Sequence, residues 1–373
     1  MTTQWQQSWA GARLPWLGTV CAAFLKPERA REAPYLAILP TLIAVTLALL
    51  TISGAVEAIY YNPWNAFASI QSIMRGVNQG WLVHAYHTTG TTMLFALVYL
   101  LLFRGILTRS YRAPGELVWV LAVKLFAVLL LVGWLGFTLT GGAAAYWSLR
   151  SATTGALELP GFAGAVAQWF FGGPPGAGTL ARLEVFHAML ALSLFLVLTL
   201  YYVARRAAEP KVTAARAVAF YPYYMAQYFV ALVLFALIFA VLACFAPHLG
   251  QPQLNALPGD ELVLPIRVPL PWYLTPIATI ADMGPGVWGG IFIVVAALAV
   301  LFALPWLDRG AAGRRGGIYG ALIWVLGLDV VVLGLVSFFP GWPGGGILTG
   351  LSTFWYFFHF LVLTPVVTAK EAK

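Results

Sequence analysis

Charge is what this chain of 373 residues has least of: Asp, Glu, Lys and Arg make up 9% of it, against about 25% in an ordinary soluble domain. With 61% of its residues apolar or aromatic and a mean hydropathy of +0.84, it has too little polar surface to cover a water-soluble globule. Cysteine is nearly missing too. Cys21 and Cys244 lie far apart, which excludes a disulfide framework and any CxxC metal site. The first 33 residues lack the basic segment, apolar core and small-residue cleavage site of a signal peptide, so the N-terminus is read as retained. No basic face with interleaved aromatics stands on a soluble module, and nucleic-acid binding is rejected.

Long apolar runs are what the chain has in their place. Windows of about 20 apolar residues fall near 36–58, 83–103, 117–139, 184–204, 224–246, 286–304, 317–339 and 350–368. This predicts an all-α polytopic membrane protein with about eight transmembrane helices. When the 21 Lys and Arg residues are assigned to alternating sides, sixteen gather on one face. Arg75, Arg150, Arg182 and Arg267 are left on the other, and Lys124 lies inside the third span. The positive-inside rule then puts both termini in the cytoplasm. Tyr60, Tyr61, Trp64, Trp81, Trp147, Trp169, Trp272 and Trp342 fall where span ends meet lipid headgroups, as an aromatic belt would.

Chemistry in such a chain rests on its few polar groups. Of five histidines, His248 and His359 stand alone near span ends, where interfacial or packing roles are the default. His84 and His87 open the second span and His187 opens the fourth. Those spans run in the same direction, so His87 and His187 fall at similar depth in the outer half of the membrane. Two neutral imidazoles with no thiolate or carboxylate cluster suit the axial positions of a haem iron better than tetrahedral zinc. Unrelated core histidines are the competing reading.

The surrounding segments carry more. Trp81 to Tyr111 (WLVHAYHTTGTTMLFALVYLLLFRGILTRSY) resembles the second helix of cytochrome b from the quinol:cytochrome c oxidoreductase (bc and b6f) family. Thr179 to Leu192 (TLARLEVFHAMLAL) is similar to that family's fourth helix, and Ala219 to Phe229 (AFYPYYMAQYF) to its next connection. Pro269 to Leu274 (PLPWYL) resembles its Pro-Glu-Trp-Tyr segment, and Trp324 to Gly334 its seventh helix. The resemblance runs along nearly the whole chain. It implies a haem-bearing four-helix bundle over residues 34–216 and a C-terminal helical part over 217–373, preceded by a cytoplasmic amphipathic segment over 1–33 that carries Trp5, Trp9 and Leu14.

Cytochromes of this family hold two haems stacked across the membrane, with a second histidine 14 residues after the first on each ligand helix. Here those positions are Leu101 and Tyr201, about 21 Å along the helix from His87 and His187 on nearly the same face. The family's haem-contacting glycines match Gly54 and Gly136 at the outer depth. Fourteen residues before them, at the inner depth, stand Pro40 and Ala122. The resemblance therefore implies one haem b, ligated by His87 and His187, and an inner site that is absent. Leu101, Tyr201, Phe126 or a lipid tail is expected to fill the volume, with Lys124 snorkelling to the surface or pointing into it.

The family's quinone sites are altered as well. Gln227, Tyr228 and Arg206 stand where protonatable groups serve the inner site, and Leu270 and Pro271 replace the Pro-Glu of the outer one. Tyr273 remains as a candidate outer quinone-site residue, with Glu57, Glu158, Glu184, Asp260, Glu261 and Asp282 as outer carboxylates whose default is a solvated loop charge. Arg182 persists near the outer haem, and His84 replaces an arginine that in relatives lies near a haem propionate. Asp329 matches a common family aspartate with a structural hydrogen-bonding role by default.

The reading favoured is a membrane subunit of a respiratory electron-transfer complex in the bacterial cytoplasmic membrane. One bis-His haem near the periplasmic side would pass electrons between an outer redox partner and quinone, without a Q-cycle. The alternatives are quinol oxidation with a Rieske-type iron–sulfur partner, or a non-catalytic membrane anchor. Expected partners are membrane lipid, quinone, a Rieske-type protein, cytochrome c or a periplasmic dehydrogenase, and a second copy by family analogy.

Overall fold

The computed structural model describes residues 29–30, 35–208, 217–218, 222, 224–259, 265, 267–310, 317–339 and 341–371. The N-terminal segment read as amphipathic lies outside them, apart from β1 (Arg29–Ala30), which pairs antiparallel with β2 (Ala217–Val218). Otherwise the described chain is helical. Helix α1 (Leu39–Tyr60) is followed by the short α2 (Ala66–Gly76), then α3 (Gly80–Leu107) and α4 (Glu116–Leu139). Two shorter helices, α5 (Ala143–Leu157) and α6 (Gly161–Phe171), lead to α7 (Ala177–Ala208). The second half contains α8 (Met225–Phe245), the short α9 (Thr275–Ala281), α10 (Gly286–Leu307) and α11 (Gly317–Val336). A last segment joins α12 (Gly345–Phe358), a π-helical turn over His359–Leu363 and α13 (Thr364–Glu371).

Eight of these segments are long and apolar enough to span a membrane: α1, α3, α4, α7, α8, α10, α11 and the α12–α13 segment. The protein is a multi-pass membrane protein. Inside hydrocarbon every backbone N–H must find its carbonyl within the same segment, so apolar runs of Leu, Val, Ala and Phe become continuous helices. Pro40 is tolerated because it sits in the first turn of α1, where its missing N–H has no helical partner to lose.

The most extensive helix contacts pair α1 with α3 and α4 with α7, and the two pairs form a four-helix bundle. Its interior holds Leu94, Phe95, Val98, Leu125, Phe126 and Leu194, all 2% exposed or less. Tyr61 closes the outer end of α1 by donating to the Leu139 carbonyl at 2.9 Å. Burial, with Glu184 nearby, pushes its hydroxyl well above the ordinary tyrosine range, so it serves as a donor only.

A polar clamp joins bundle and second half at the opposite end. Asp308, just after α10 and 1% exposed, accepts from Tyr111 at 2.7 Å and from the Gly310 amide at 2.8 Å, and lies 3.2 Å from Arg109 Nε. Arg109 stacks over the Tyr319 ring at 4.6 Å, and Arg112 donates to the Asp308 carbonyl. Thus two of the basic residues read as a topology signal are also structural.

Helices overrun the apolar windows. The fourth span, expected over 184–204, runs Ala177–Ala208, and the second, expected over 83–103, runs Gly80–Leu107. Helical hydrogen bonding does not stop where hydropathy falls, and the extra turns include Arg182, Arg205, Arg206 and Arg104. Where it is described, the stretch before Pro271 is irregular, with a 3-10 turn at Gln253–Ala256 and an isolated bridge from Pro258 to Gly142.

His359 is a packed residue and not an interfacial one. It is 0% exposed, lies in the π-helical turn beside Tyr319 with ring centres 6.2 Å apart, and neither ring nitrogen has a partner. A buried polar group without a partner costs about 1–3 kcal/mol. Accordingly, His359→Phe should raise the unfolding midpoint of the detergent-solubilised protein, and a lowered midpoint would mean that the imidazole makes a stabilising bond.

Candidate functional site

His87 on α3 and His187 on α7 face each other across the bundle, with ring centres 6.3 Å apart and planes at 66°. Two imidazoles bonded at about 2 Å to one ion have ring centres roughly 6 Å apart. Their hydrogen bonds set the tautomers. His187 Nδ1 lies 3.0 Å from the Val132 carbonyl, which only accepts, so Nδ1 carries the hydrogen and Nε2 the lone pair. His87 Nδ1 lies 3.1 Å from Ser53 Oγ, whose own hydrogen goes to the Leu50 carbonyl, so His87 is again a donor at Nδ1 and a base at Nε2. This is how outer hydrogen bonds orient metal-binding histidines. Ser53 and the Val132 carbonyl went unnoticed in the sequence, although a serine beside Gly54 in an apolar span was a usable signal.

The two glycines sit opposite the rings. A Cβ at Gly54 would come within 2.9 Å of His87 Cε1, and one at Gly136 within 2.7 Å of His187 Cε1, both closer than real Cβ atoms approach. Each ring therefore has room only because its neighbour on α1 or α4 lacks a side chain. Among the described residues no group of three or more His, Cys, Asp or Glu could hold a metal ion. What remains is a two-imidazole centre inside an apolar bundle, and that donor set fits haem iron.

One turn further out, His84 and Glu57 form a buried pair, with Nδ1 2.8 Å from Oε1. Glu57 is thus no solvated loop charge, contrary to its default reading: its side chain is 12% exposed and belongs to α1. The other outer carboxylates are placed differently. Asp282 pairs with Arg267; burial pushes its carboxyl up and Arg267 works against that. Glu184 lies on α7, whereas Asp260 and Glu261 lie outside the described residues. Arg182 is exposed and donates to the Trp169 carbonyl on α6.

At the inner depth the bundle is closed by side chains. Pro40, Leu101, Ala122 and Tyr201 are all buried, the last three at 4% exposure, in the same core as Leu97, Phe126, Val197 and Leu198. Lys124 is exposed on α4 and does not enter that volume.

Tyr273 is 3% exposed and stacks on Phe95 with ring centres 4.2 Å apart, while its carbonyl accepts from Tyr99 at 2.9 Å. Burial pushes its hydroxyl far up, against a bond to Gln251 that lowers it, so it cannot act as a base near neutral pH. An apolar cavity of about 400 Å³, lined by Tyr99, Phe103, Trp272, Pro276, Leu326 and Tyr356 among others, lies between α3, α9 and α11; neither histidine nor Tyr273 lines it. Asp329 is buried on α11, and its Oδ2 has no hydrogen-bond partner.

Known proteins were compared with this arrangement. The family model described as Cytochrome b/b6/petB matches residues 34–208, and that described as Cytochrome b(C-terminal)/b6/petD matches 258–360. Cytochrome b of Rickettsia bellii (strain RML369-C) is 30% identical over 376 residues, covering 97% of this chain and 94% of that protein. Cytochrome b of Rhodospirillum rubrum is 29% identical over 374 residues, covering 96% and 92%. A solved chain from a hyperthermophilic respiratory Complex III superposes with a TM-score of 0.83 at 24% identity, covering 96% of this chain and 99% of that one. Since both halves match in order and the relatives cover nearly the whole chain, the chain belongs to the cytochrome b family, whose cofactor is haem b.

Proposed function

We propose that this protein is the single-haem membrane subunit of a respiratory electron-transfer complex of the bc type. One haem b, held by His87 and His187, exchanges single electrons between quinone and a redox partner on the outer face. The observation that carries this reading is the contrast of two depths. At one, two imidazoles have their Nε2 lone pairs free for a metal and two glycines make room for the rings. At the other, the four corresponding positions are Pro40, Leu101, Ala122 and Tyr201 inside a packed apolar core.

When bound, the haem supplies reversible one-electron chemistry. The chain's residues fix its position and polarity: Ser53 and the Val132 carbonyl hold the imidazoles in the ligating tautomer, and the apolar bundle keeps water away. With no ligands at the inner depth there is no cofactor relay across the membrane, and so no Q-cycle within this chain. Quinol oxidation by the family's usual outer route has less support, because Pro271 supplies no acid or base and Tyr273 is buried against Phe95. The proposed partners are quinone and an extrinsic redox subunit of Rieske, cytochrome c or dehydrogenase type, and the proposed topology has both termini in the cytoplasm.

The test is reduction of the purified cytochrome by a short-chain quinol, followed in the haem absorption bands. Reduction within seconds that is insensitive to inhibitors of outer-site quinol oxidation is the expected result. Complete inhibition would favour the quinol-oxidising reading, and a haem that no quinol reduces would favour a membrane anchor.

A further inference from the structure

Glu57 and His84 form a buried acid–imidazole pair on the same two helices that carry Gly54 and His87, each three residues further out. Three residues are about one turn, roughly 5 Å along the axis. An ionisable pair inside a membrane bundle is costly unless it serves a purpose. The Glu57 carboxylate interacts electrostatically with His84, His87 and His187 together. Glu57 accepts from His84 Nδ1–H, so the lone pair of that imidazole is on Nε2, which is where a proton would add.

We infer that the Glu57–His84 pair binds a proton more tightly when the haem held by His87 and His187 is reduced, taking up part of a proton on reduction and releasing it on oxidation. The inference rests on the haem reading above. Reduction would place one extra negative charge at the haem, with the electron supplied by a quinol or a redox partner, and a proton drawn from the aqueous phase onto His84 Nε2 would partly offset it. An extra negative charge about 10 Å away raises proton affinity on the order of tenfold in a medium of protein-like dielectric. Proton-coupled reduction thus follows from placing the pair one turn from the ligands.

Other titratable or charged groups surround the pair. His87 lies on its own helix α3, His187 and Glu184 on α7, and Arg75 at the end of α2. Tyr61 follows α1, and His248, which interacts with His84, follows α8. The two ligand imidazoles would be fixed by a bound iron, and burial keeps Tyr61 protonated. Glu184 and His248 are the rival proton acceptors.

The experiment is a spectroelectrochemical titration of the haem at a series of pH values, beside a count of protons taken up on reduction in weakly buffered solution. The haem midpoint potential is expected to fall as pH rises, by about 59 mV in total for each tenfold change in proton affinity, with about half a proton taken up per electron at the centre of that window for a tenfold change. Glu57→Gln combined with His84→Gln should flatten the dependence, whereas His248→Gln and Glu184→Gln should leave it unchanged. A flat potential in the unsubstituted protein overturns the inference while leaving the haem reading intact. A slope that survives the double substitution, or vanishes with His248 or Glu184, overturns it too. A chain that binds no haem overturns the haem reading, and this inference with it.

Discussion

Purified protein should contain one haem b per polypeptide by pyridine haemochrome assay, and His87→Ala or His187→Ala should contain none. Among the described residues the two imidazoles are the ligand pair that the bundle brings together, and the loss of either would leave a haem iron with one axial bond and a void where a ring had packed. Gly136→Val provides a sharper variant, because it leaves both ligands in place. A Cβ there already reaches 2.7 Å from His187 Cε1, so a valine must displace the ring from its bond to the Val132 carbonyl. Haem content should fall at least as far as in the histidine variants, while the helices persist by circular dichroism. Two haems per chain would mean that the inner depth binds iron after all; full occupancy in Gly136→Val would mean that the glycine only packs.

The second large effect separates a packing residue from a ligand. Tyr201 and Leu101 stand 14 residues after His187 and His87 on the same helices, and both are 4% exposed members of the bundle core. Truncating a buried side chain of this size costs about 2–5 kcal/mol, from lost transfer energy and the cavity left behind. Tyr201→Ala and Leu101→Ala should therefore each lower the thermal midpoint of the detergent-solubilised protein clearly, while its haem stays at one per chain with unchanged absorption bands. Loss or spectral change of the haem in Tyr201→Ala would show that the phenol reaches iron.

The number of spans was legible from hydropathy alone, and so was the pairing of His87 with His187, since two helices running in the same direction put equal offsets at equal depths. Reading the inner depth as filled by Leu101 and Tyr201 rested on the family resemblance, and both side chains are buried there. Three things stayed hidden, each for a physical reason. Helix ends were misplaced because backbone hydrogen bonding continues past the apolar window, as at Ala177 and Ala208. Glu57, at the rim of its expected span, passed for a loop charge because its partner His84 lies on another helix. The burial of His359 depends on how α11 packs against the last segment, and no local pattern encodes that.

The length of α7 has an electrical consequence. Arg182 and Arg205 are 23 residues apart on this one helix, which is about 35 Å and close to the thickness of a bilayer's hydrocarbon core. Two guanidinium groups at that spacing suit the two headgroup layers of an upright helix. His187 would then lie roughly 8 Å below the Arg182 end, about one fifth of the way through. An electron reaching the iron from that side thus traverses only about a fifth of the membrane potential, close to 0.5 kcal/mol per 100 mV. The rate of such a centre should barely notice whether the membrane is energised, so it can keep working at a membrane potential that would stall an electron driven the full width.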